Sequence, residues 1–179
     1  MIFEATRFDA VRLLRPERRS DERGWFARTW CEREFADQGL NTRWPQGNLT
    51  RTLRRGMVRG MHWQDAALPE IKLVRCSAGA IQDVVVDVRR DSPTYGLWQE
   101  FRLDAEEGLQ LYVGPGFAHG FQCLEDGSEV SYLMGEFYEP SLARGFRWDD
   151  PDVGIAWHDP AAAFLSERDR NLPRLRDVV

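Results

Sequence analysis

The chain is 179 residues long, with 42% hydrophobic and 30% charged residues, a composition typical of one folded domain that excludes a wholly disordered chain. Its formal net charge of −5 argues against a general nucleic-acid-binding protein, which normally carries a basic face. No apolar stretch approaches the roughly 20 residues that span a bilayer, and the N-terminus lacks the apolar core of a signal peptide. We therefore expect a cytoplasmic protein with neither membrane nor nucleic-acid partners.

The first predicted element is a short helix over residues 31–38. Thr29 followed by Glu32 resembles a capping box at its start. Gly39 follows its last residue, which is the usual place for a glycine at a helix C-terminus.

The next segment, Val58-Arg-Gly-Met-His-Trp-Gln64, is predicted to be a strand. Period-two alternation places Val58, Gly60, His62 and Gln64 on one face of it. A glycine beside His62 leaves room for another group to approach the backbone closely.

Short strands with turns between them fill the middle of the chain. Residues 80–88 are rich in β-branched side chains, and residues 110–113 form a second strand before a Gly-Pro-Gly turn. Asp126-Gly127 predicts a hairpin turn between strands at 120–124 and 129–134. This spacing favours a sandwich, a barrel or a jelly roll.

Two short helices are predicted near the C-terminus, starting at Asp159-Pro160 and at Ser166. Asp169 lies three residues after Ser166, so its carboxylate could simply belong to a capping motif. A catalytic carboxylate is the alternative interpretation.

Several side chains on the predicted strands could take part in chemistry, and each has a structural alternative. Histidine exchanges protons near neutral pH, but His62 could also be a hydrogen-bonded core residue. Asp83 lies in mid-strand on an apolar face and needs a partner, either His119 or an arginine. Tyr132 could be an acid or a packed core aromatic.

Lys72 is the only lysine among the 24 lysine and arginine residues of the chain. A bias toward arginine codons explains most of this composition. The retained lysine could also be functional, because its compact ammonium group differs from a guanidinium as a point-charge donor.

A metal centre is not expected. Residues 115–119 resemble the second of the two cupin motifs, but the first motif needs a His-x-His pair, and His62 is followed by Trp63 and Gln64. The three cysteines are widely spaced and form no C-x-x-C pair, so we expect them to be reduced core residues.

Taken together, a series of segments resembles the dTDP-4-dehydrorhamnose 3,5-epimerase family. The segments follow the order of the family from about residue 20 to residue 173, and this order is more specific than any one segment. They are Arg23-Gly-Trp-Phe26, Gln46-Gly-Asn48, Arg59-Gly-Met-His-Trp-Gln64, Lys72-Leu-Val74, Asp83-Val-Val-Val-Asp87 with Arg89, Ser92-Pro-Thr-Tyr-Gly96, Pro115-Gly-Phe-Ala-His-Gly-Phe121, Tyr132, Arg147-Trp-Asp-Asp150 and Leu165-Ser-Glu-Arg-Asp169.

This resemblance implies an all-β fold, a cupin-like jelly-roll barrel with a few short flanking helices. We expect a single domain over residues 1–179, with the jelly-roll core at about residues 45–140. The resemblance also implies a homodimer, no metal or organic cofactor, and a nucleotide-linked 4-keto-6-deoxy sugar as substrate.

The resemblance also implies roles for individual residues. His62 takes the position of the catalytic base, Asp169 that of its orienting carboxylate, Tyr132 that of the general acid, and Lys72 the position near the 4-keto oxygen. The substrate-binding positions that it implies are Arg23, Phe26, Arg28, Gln46, Asn48, Arg59, Asp83, His119 and, near the nucleobase, Tyr138.

Three positions depart from the family pattern, one of them mildly, since Trp63 replaces the usual tyrosine. Arg28 stands where the family usually has Glu, and Gly47 replaces the commoner Asp between Gln46 and Asn48. A cation in place of an anion changes what that edge of the pocket can bind, so the departure bears on the nucleotide more than on the proton chemistry.

The sequence is compatible with three functions. The first is an isomerase that inverts C3 and C5 of dTDP-4-dehydro-6-deoxy-D-glucose. The second is a related epimerase that acts at one centre, or on a sugar carried by another nucleotide. The third is a cupin sugar-binding module without turnover, because one fold serves many functions.

Overall fold

The structure, a computed structural model, describes residues 1–65 and 67–178 and is built mainly from strands. The strands are β1 (Ile2–Ala5), β2 (Val11–Arg15), β3 (Arg19–Asp21), β4 (Gly24–Phe26), β5 (Gln46–Thr52), β6 (Val58–Gln64), β7 (Lys72–Ala78), β8 (Ala80–Asp87), β9 (Trp98–Asp104), β10 (Gln110–Val113), β11 (Phe117–Cys123), β12 (Ser128–Met134) and β13 (Ala143–Gly145). The helices are α1 (Glu32–Asp37), α2 (Glu167–Arg170), α3 (Leu175–Val178) and a 3-10 helix at Pro160–Ala162. None of the helices described is long and apolar enough to cross a membrane.

Two antiparallel sheets form the body of the molecule. One has six strands in the order β1-β2-β10-β7-β12-β5, and the other has five in the order β13-β6-β11-β8-β9. This arrangement confirms the predicted all-β jelly roll with short flanking helices. The strands predicted at 80–88 and 110–113 are confirmed as β8 and β10.

The main hydrophobic core lies between the two sheets. Strands β2, β7, β10 and β12 contribute to it from one side, and β8, β9 and β11 from the other. Alternation along β8 is regular, because Ile81 and Val85 point into this core while Val84 and Val86 belong to a cluster on the outer face.

Segments outside the sheets cover their outer faces. The C-terminal segment packs Phe146, Trp157 and Leu165 on the outer face of the five-stranded sheet. On the six-stranded sheet, Phe35 of α1 packs with Leu14 of β2, Leu73 of β7 and Tyr112 of β10. The packing of the C-terminal segment on the five-stranded sheet includes contacts between α2 and β6, so residues of these two elements lie close together.

Two details of the predicted elements are wrong. The N-cap of α1 is Cys31, which makes no side-chain capping hydrogen bond, so Thr29 and Glu32 do not form a capping box. Gly39 does follow the C-cap residue Gln38, and its φ of 67° is the left-handed conformation expected there.

The second error concerns Asp126-Gly127, which does not join a hairpin. β11 already has β6 and β8 as its neighbours in the five-stranded sheet, whereas β12 pairs with β5 and β7 in the other sheet. The turn therefore carries the chain from one sheet to the other.

Candidate active site

A cleft lined by residues of both sheets and of α2 contains most of the candidate side chains. It consists of two adjoining cavities of about 460 and 330 Å³. His62, Lys72, Tyr132 and Arg168 line both cavities, so these four residues lie where the two cavities adjoin.

A β-bulge in β6 brings two of the candidates to the cleft. His62 lies opposite His119 of β11, but Arg59 lies opposite Phe121, so β6 has one more residue than β11 over this stretch. Arg59 and His62 consequently face the same cleft. Regular alternation would have separated them, so the prediction that it continues through Gly60 is wrong.

His62 is held by a carboxylate from α2. Its Nε2 is 2.8 Å from Oδ1 of Asp169, whose side chain is only 7% exposed. The second carboxylate oxygen accepts the backbone N–H of Gly60 at 3.4 Å. Burial raises the pKa of Asp169, but the hydrogen bonds with His62 and with the backbone of Gly60 help to lower it, and the pKa lies below its ordinary value. The carboxylate is therefore ionised at neutral pH.

Asp169 caps α2 through its backbone and not, as the capping interpretation predicted, through its carboxylate, which binds His62 and Gly60. Its backbone N–H donates to Oγ of Ser166 at 3.1 Å, which starts α2 as predicted. The helix cap uses the N–H of Asp169 and the pair with His62 uses its carboxylate, so one residue takes part in both.

Lys72 reaches the cleft from the start of β7, and its side chain is 9% exposed. Its Nζ forms an ion pair with Glu70 at 2.9 Å. Glu70 was not among the predicted residues, because a carboxylate in a loop is common on protein surfaces and has no pattern of its own.

Tyr132 enters the cleft from β12, where it lies opposite Asn48 of β5 and Val74 of β7. No hydrogen-bond partner of its hydroxyl is found in the part of the chain that the structure describes. Burial raises the pKa of the phenol, and the negative charge of Glu70 raises it further, so Tyr132 is protonated at neutral pH.

His119 and Asp83 form a second, more deeply buried pair. Their Nε2 and Oδ2 atoms are 2.8 Å apart, and the side chains are 8% and 0% exposed. Of the two partners considered for Asp83, histidine is thus the one present. Among residues 1–65 and 67–178, no group of three or more His, Cys, Asp and Glu side chains is gathered as a metal-binding set.

The smaller cavity contains the remaining predicted residues of the cleft. Gln46, Asn48 and Tyr138 line it, and Oε1 of Gln46 accepts the backbone N–H of Tyr138 at 3.1 Å. Arg168 also lines it and was missed, because an exposed arginine on a four-residue helix has no distinctive pattern.

Three predicted substrate-binding residues lie outside this cleft. Arg23 is at the tip of the separate β3–β4 hairpin with its side chain 84% exposed, and Phe26 at the end of the hairpin is 69% exposed. Arg28 pairs with Glu34 of α1 at 2.6 Å and lines another cavity. These three residues therefore do not meet the other predicted residues within one chain.

The geometry of the cleft is suited to moving a proton on carbon. A neutral imidazole backed by an ionised carboxylate can accept a proton, and a protonated phenol can donate one. An ammonium group in the same space can stabilise an oxygen that becomes negative between the two steps.

The sequence matches one protein family over nearly its full length. The profile described as dTDP-4-dehydrorhamnose 3,5-epimerase matches residues 5–177. A dTDP-4-dehydrorhamnose 3,5-epimerase of Sinorhizobium fredii is 40% identical over 182 residues, covering 99% of this chain and 91% of the relative. One of Methanothermobacter thermautotrophicus is 41% identical over 177 residues, covering 98% and 95%.

Solved structures agree with these matches. The dTDP-4-dehydrorhamnose 3,5-epimerase of Elizabethkingia anophelis superimposes with a TM-score of 0.95 at 36% identity, covering 99% of this chain and 97% of that one. A Legionella pneumophila enzyme in complex with dTDP-4-keto-L-rhamnose gives 0.92 at 31%, covering 98% and 93%. A 3'-monoepimerase of Streptomyces bikiniensis in complex with dTDP-quinovose gives 0.89 at 33%, covering 96% and 86%.

Proposed function

This chain belongs to the dTDP-4-dehydrorhamnose 3,5-epimerase family, and we propose from that premise a mechanism in which His62 and Tyr132 act on opposite faces of the sugar. The protein is an isomerase that converts dTDP-4-dehydro-6-deoxy-D-glucose to dTDP-4-dehydro-L-rhamnose by inverting C3 and C5. One observation supports the mechanism above all others: His62, Lys72 and Tyr132 line a single cavity, with Asp169 bonded to His62.

His62 is the base of each proton transfer. When its Nε2–H donates to Asp169, the other ring nitrogen, Nδ1, keeps a free lone pair. Nδ1 removes the proton from the carbon next to the ketone, and the electron pair of the C–H bond moves onto the 4-keto oxygen. The ionised Asp169 stabilises the imidazolium that results.

Lys72 stabilises the enolate oxygen through its ammonium group. In comparable sites, one well-placed donor to a developing oxyanion contributes roughly 3 kcal/mol to the transition state. The burial of Lys72 supports this role, because a water-poor setting strengthens the interaction between the two charges.

Tyr132 completes the inversion. Its phenol donates a proton to the same carbon from the face opposite His62, and the ketone re-forms. Proton exchange with solvent then restores neutral His62 and the protonated phenol before the second centre reacts. The absence of a hydrogen-bond partner for the Tyr132 hydroxyl among the described residues supports this role, because the group is free to meet the substrate.

Polar groups around these residues bind the rest of the substrate. Arg59 offers a cation to the diphosphate, with its Nε held by Thr52 at 3.2 Å. Gln46 and Asn48 offer amides in the smaller cavity, and Tyr138 offers a ring for the nucleobase. His119, held by Asp83 and directly across from His62 on the neighbouring strand, donates to the sugar or phosphate in the larger cavity.

The working form is a homodimer in which the β3–β4 hairpin completes the cleft of the second copy. This hairpin pairs only with itself in the sheets described, and it exposes Trp25 and Phe26 to solvent. Exposed aromatic residues on a projecting element are typical of a surface that binds another protein. A second copy would cover these side chains and bring Arg23 and Phe26 to a substrate.

Deuterium incorporation tests the proposed function directly. The protein is incubated with dTDP-4-dehydro-6-deoxy-D-glucose in D₂O, and the product is analysed by NMR. We expect label at both C3 and C5, and dTDP-4-dehydro-L-rhamnose as product. If neither C3 nor C5 takes up deuterium, the result would favour a binding module without turnover.

Inversion at one centre is the second candidate. It is favoured by the similarity to a 3'-monoepimerase, which has the same fold and a comparable identity of 33%. Label confined to C3, with unchanged configuration at C5, would establish it. The same experiment on a uridine diphosphate sugar with the same 4-keto group tests whether Arg28 alters the choice of nucleotide.

A further inference from the structure

The cleft contains an ion pair to which the proposed mechanism has so far given no role. Glu70 and Lys72 are 2.9 Å apart, and their side chains are 10% and 9% exposed. Both line the smaller cavity together with His62 and Tyr132. Glu70 thus lies within the site, although the reaction as described does not use it.

Stability alone does not explain this pair. A buried ion pair gains little net stability, because the cost of removing two charges from water offsets their attraction. Lysine also has a long, flexible side chain, and its ammonium group would otherwise be free to turn toward solvent. A carboxylate at hydrogen-bond distance fixes the ammonium at one place in the cleft.

The number of donors on Lys72 allows it to serve two partners at once. An ammonium group carries three N–H donors, so one can remain bonded to Glu70 while another points at a ketone oxygen. We propose that Glu70 is a positioning residue that holds the Lys72 ammonium where the enolate oxygen forms. This inference rests on the proposed function, because it assigns Glu70 to the same reaction.

The effect of Glu70 on Tyr132 is compatible with this role. Burial is the main cause of the raised pKa of Tyr132, the charge of Glu70 adds to it, and the charge of Arg59 opposes it. Glu70 therefore also favours the protonated phenol. Near pH 7 the phenol is protonated with or without this contribution, so assays at that pH report on Lys72 alone.

The first experiment compares Glu70→Ala and Glu70→Gln with the wild type at pH 7. In Glu70→Ala we expect kcat to fall about tenfold and KM to change less than about twofold, since the lost interaction acts in the transition state. Glutamine keeps an oxygen that can accept from Lys72, so kcat of Glu70→Gln should lie within about threefold of the wild type.

Glu136→Ala is the matched control. Glu136 forms an ion pair with Arg43 at 2.7 Å outside the cleft, so removing it deletes a carboxylate of the same kind without touching Lys72. We expect no change in kcat. Thermal denaturation of each variant shows whether a loss of activity reflects a loss of fold.

A double-mutant cycle with Lys72→Ala separates positioning from a general structural effect. If Glu70 acts through Lys72, Glu70→Ala should lower the deuterium-exchange rate about tenfold in the wild type but less than about twofold when Lys72 is already alanine. An equal loss of exchange rate in the wild-type and Lys72→Ala backgrounds would overturn the proposal. A kcat of Glu70→Ala equal to that of the wild type would also overturn it, as would an equal loss of kcat in Glu70→Ala and Glu70→Gln. Absence of exchange in the wild type would instead contradict the proposed function.

Discussion

Asp169 connects the start of a helix to the chemistry of the cleft through different atoms of one residue. Its N–H binds Ser166, and its carboxylate binds His62 and the backbone of Gly60. The first turn of α2 therefore fixes the position of the carboxylate that orients the imidazole. A residue with an ordinary capping pattern in sequence can thus also be part of a catalytic pair.

The first prediction separates the roles of the two proposed proton carriers. His62→Ala should abolish deuterium exchange, because no other group takes the proton from carbon. Tyr132→Phe should slow net epimerisation more than exchange, because His62 can still remove a proton and return deuterium to the same face. Both rates are measured by NMR in D₂O.

Tyr95→Phe is the matched control, since it removes a phenol that lines a different cavity. It should leave both rates unchanged. Equal slowing of exchange and epimerisation in Tyr132→Phe would contradict the assignment of Tyr132 as the opposite-face acid, and an unchanged rate in His62→Ala would remove the base assignment.

At the residue scale, the sequence could predict the side chains that have a pattern of their own. The only lysine and a histidine in a strand beside glycine stand out without any structure. Glu70 and Arg168 could not be predicted in the same way, because a carboxylate in a loop and an arginine on a short helix are common on protein surfaces. Their place in the cleft follows from the packing of loops and of α2 on the sheets.

At the element scale, the bulge in β6 is the feature that regular periodicity could not predict. Gly60 has a φ of 131°, and a Cβ at this position would lie 2.6 Å from Cα of Gly120. The group that approaches this glycine closely is therefore the backbone of β11. The bulge in turn lets Arg59 and His62 share the cleft.

The second prediction concerns this close approach. Gly60→Ala should destabilise the protein by at least about 2 kcal/mol, because the added carbon clashes with backbone and the conformation disfavours a side chain. Activity should fall as well, since Gly60 donates to Asp169 and lies two residues before His62. Urea denaturation and kcat measure the two effects.

Gly127→Ala is the control for the backbone conformation alone. Gly127 has a φ of 71°, but nothing lies within 4 Å of a Cβ built there. It should lose only about 1 kcal/mol of stability, with kcat unchanged. Equal losses in both variants would show that the approach of β11 is not the cause.

The third prediction concerns Asp87 at the end of β8. Burial raises the pKa of its carboxyl, but hydrogen bonds from Arg89, Ser92 and Thr94 outweigh this effect and lower the pKa to about 2. A pKa below the unfolded value means that the stabilisation is complete above about pH 4 and is lost as the pH falls toward 2.

We expect Asp87→Asn to lower the free energy of unfolding at pH 7 on the order of 2 kcal/mol, and by about half as much at pH 3. Urea denaturation at both pH values measures this difference. Asp149→Asn, which breaks an exposed pair with Arg147, should change stability by less than about 1 kcal/mol. A loss in Asp87→Asn that does not depend on pH would contradict the assignment.

At the scale of the whole molecule, local patterns predicted the strands but not how they are arranged. Asp126-Gly127 has the composition of a hairpin turn, yet β11 and β12 lie in different sheets. A turn signal shows that the chain reverses, while the partner of each strand depends on contacts between residues far apart in sequence. The family resemblance, which carries this long-range information, was needed to predict the jelly roll.

The fourth prediction concerns assembly. If the hairpin of one copy completes the cleft of the other, light scattering should give twice the chain mass of 20.8 kDa. His62→Ala and the double variant Arg23→Ala/Phe26→Ala should each be inactive, since one lacks the base and the other lacks the hairpin contacts. Mixing them under conditions that exchange subunits should restore activity, because in each mixed dimer one cleft has both an intact base and an intact hairpin.

With random exchange, half of the dimers are mixed and each has one complete cleft, so activity should return to about a quarter of the wild-type value. The control is a mixture of His62→Ala with Lys72→Ala, whose altered residues line the cleft of the same chain. Every cleft in that mixture lacks one of the two residues, so no activity should return. Recovery in neither mixture would show that the hairpin does not serve a second copy, and recovery in both would place the base and the lysine of one site on different chains.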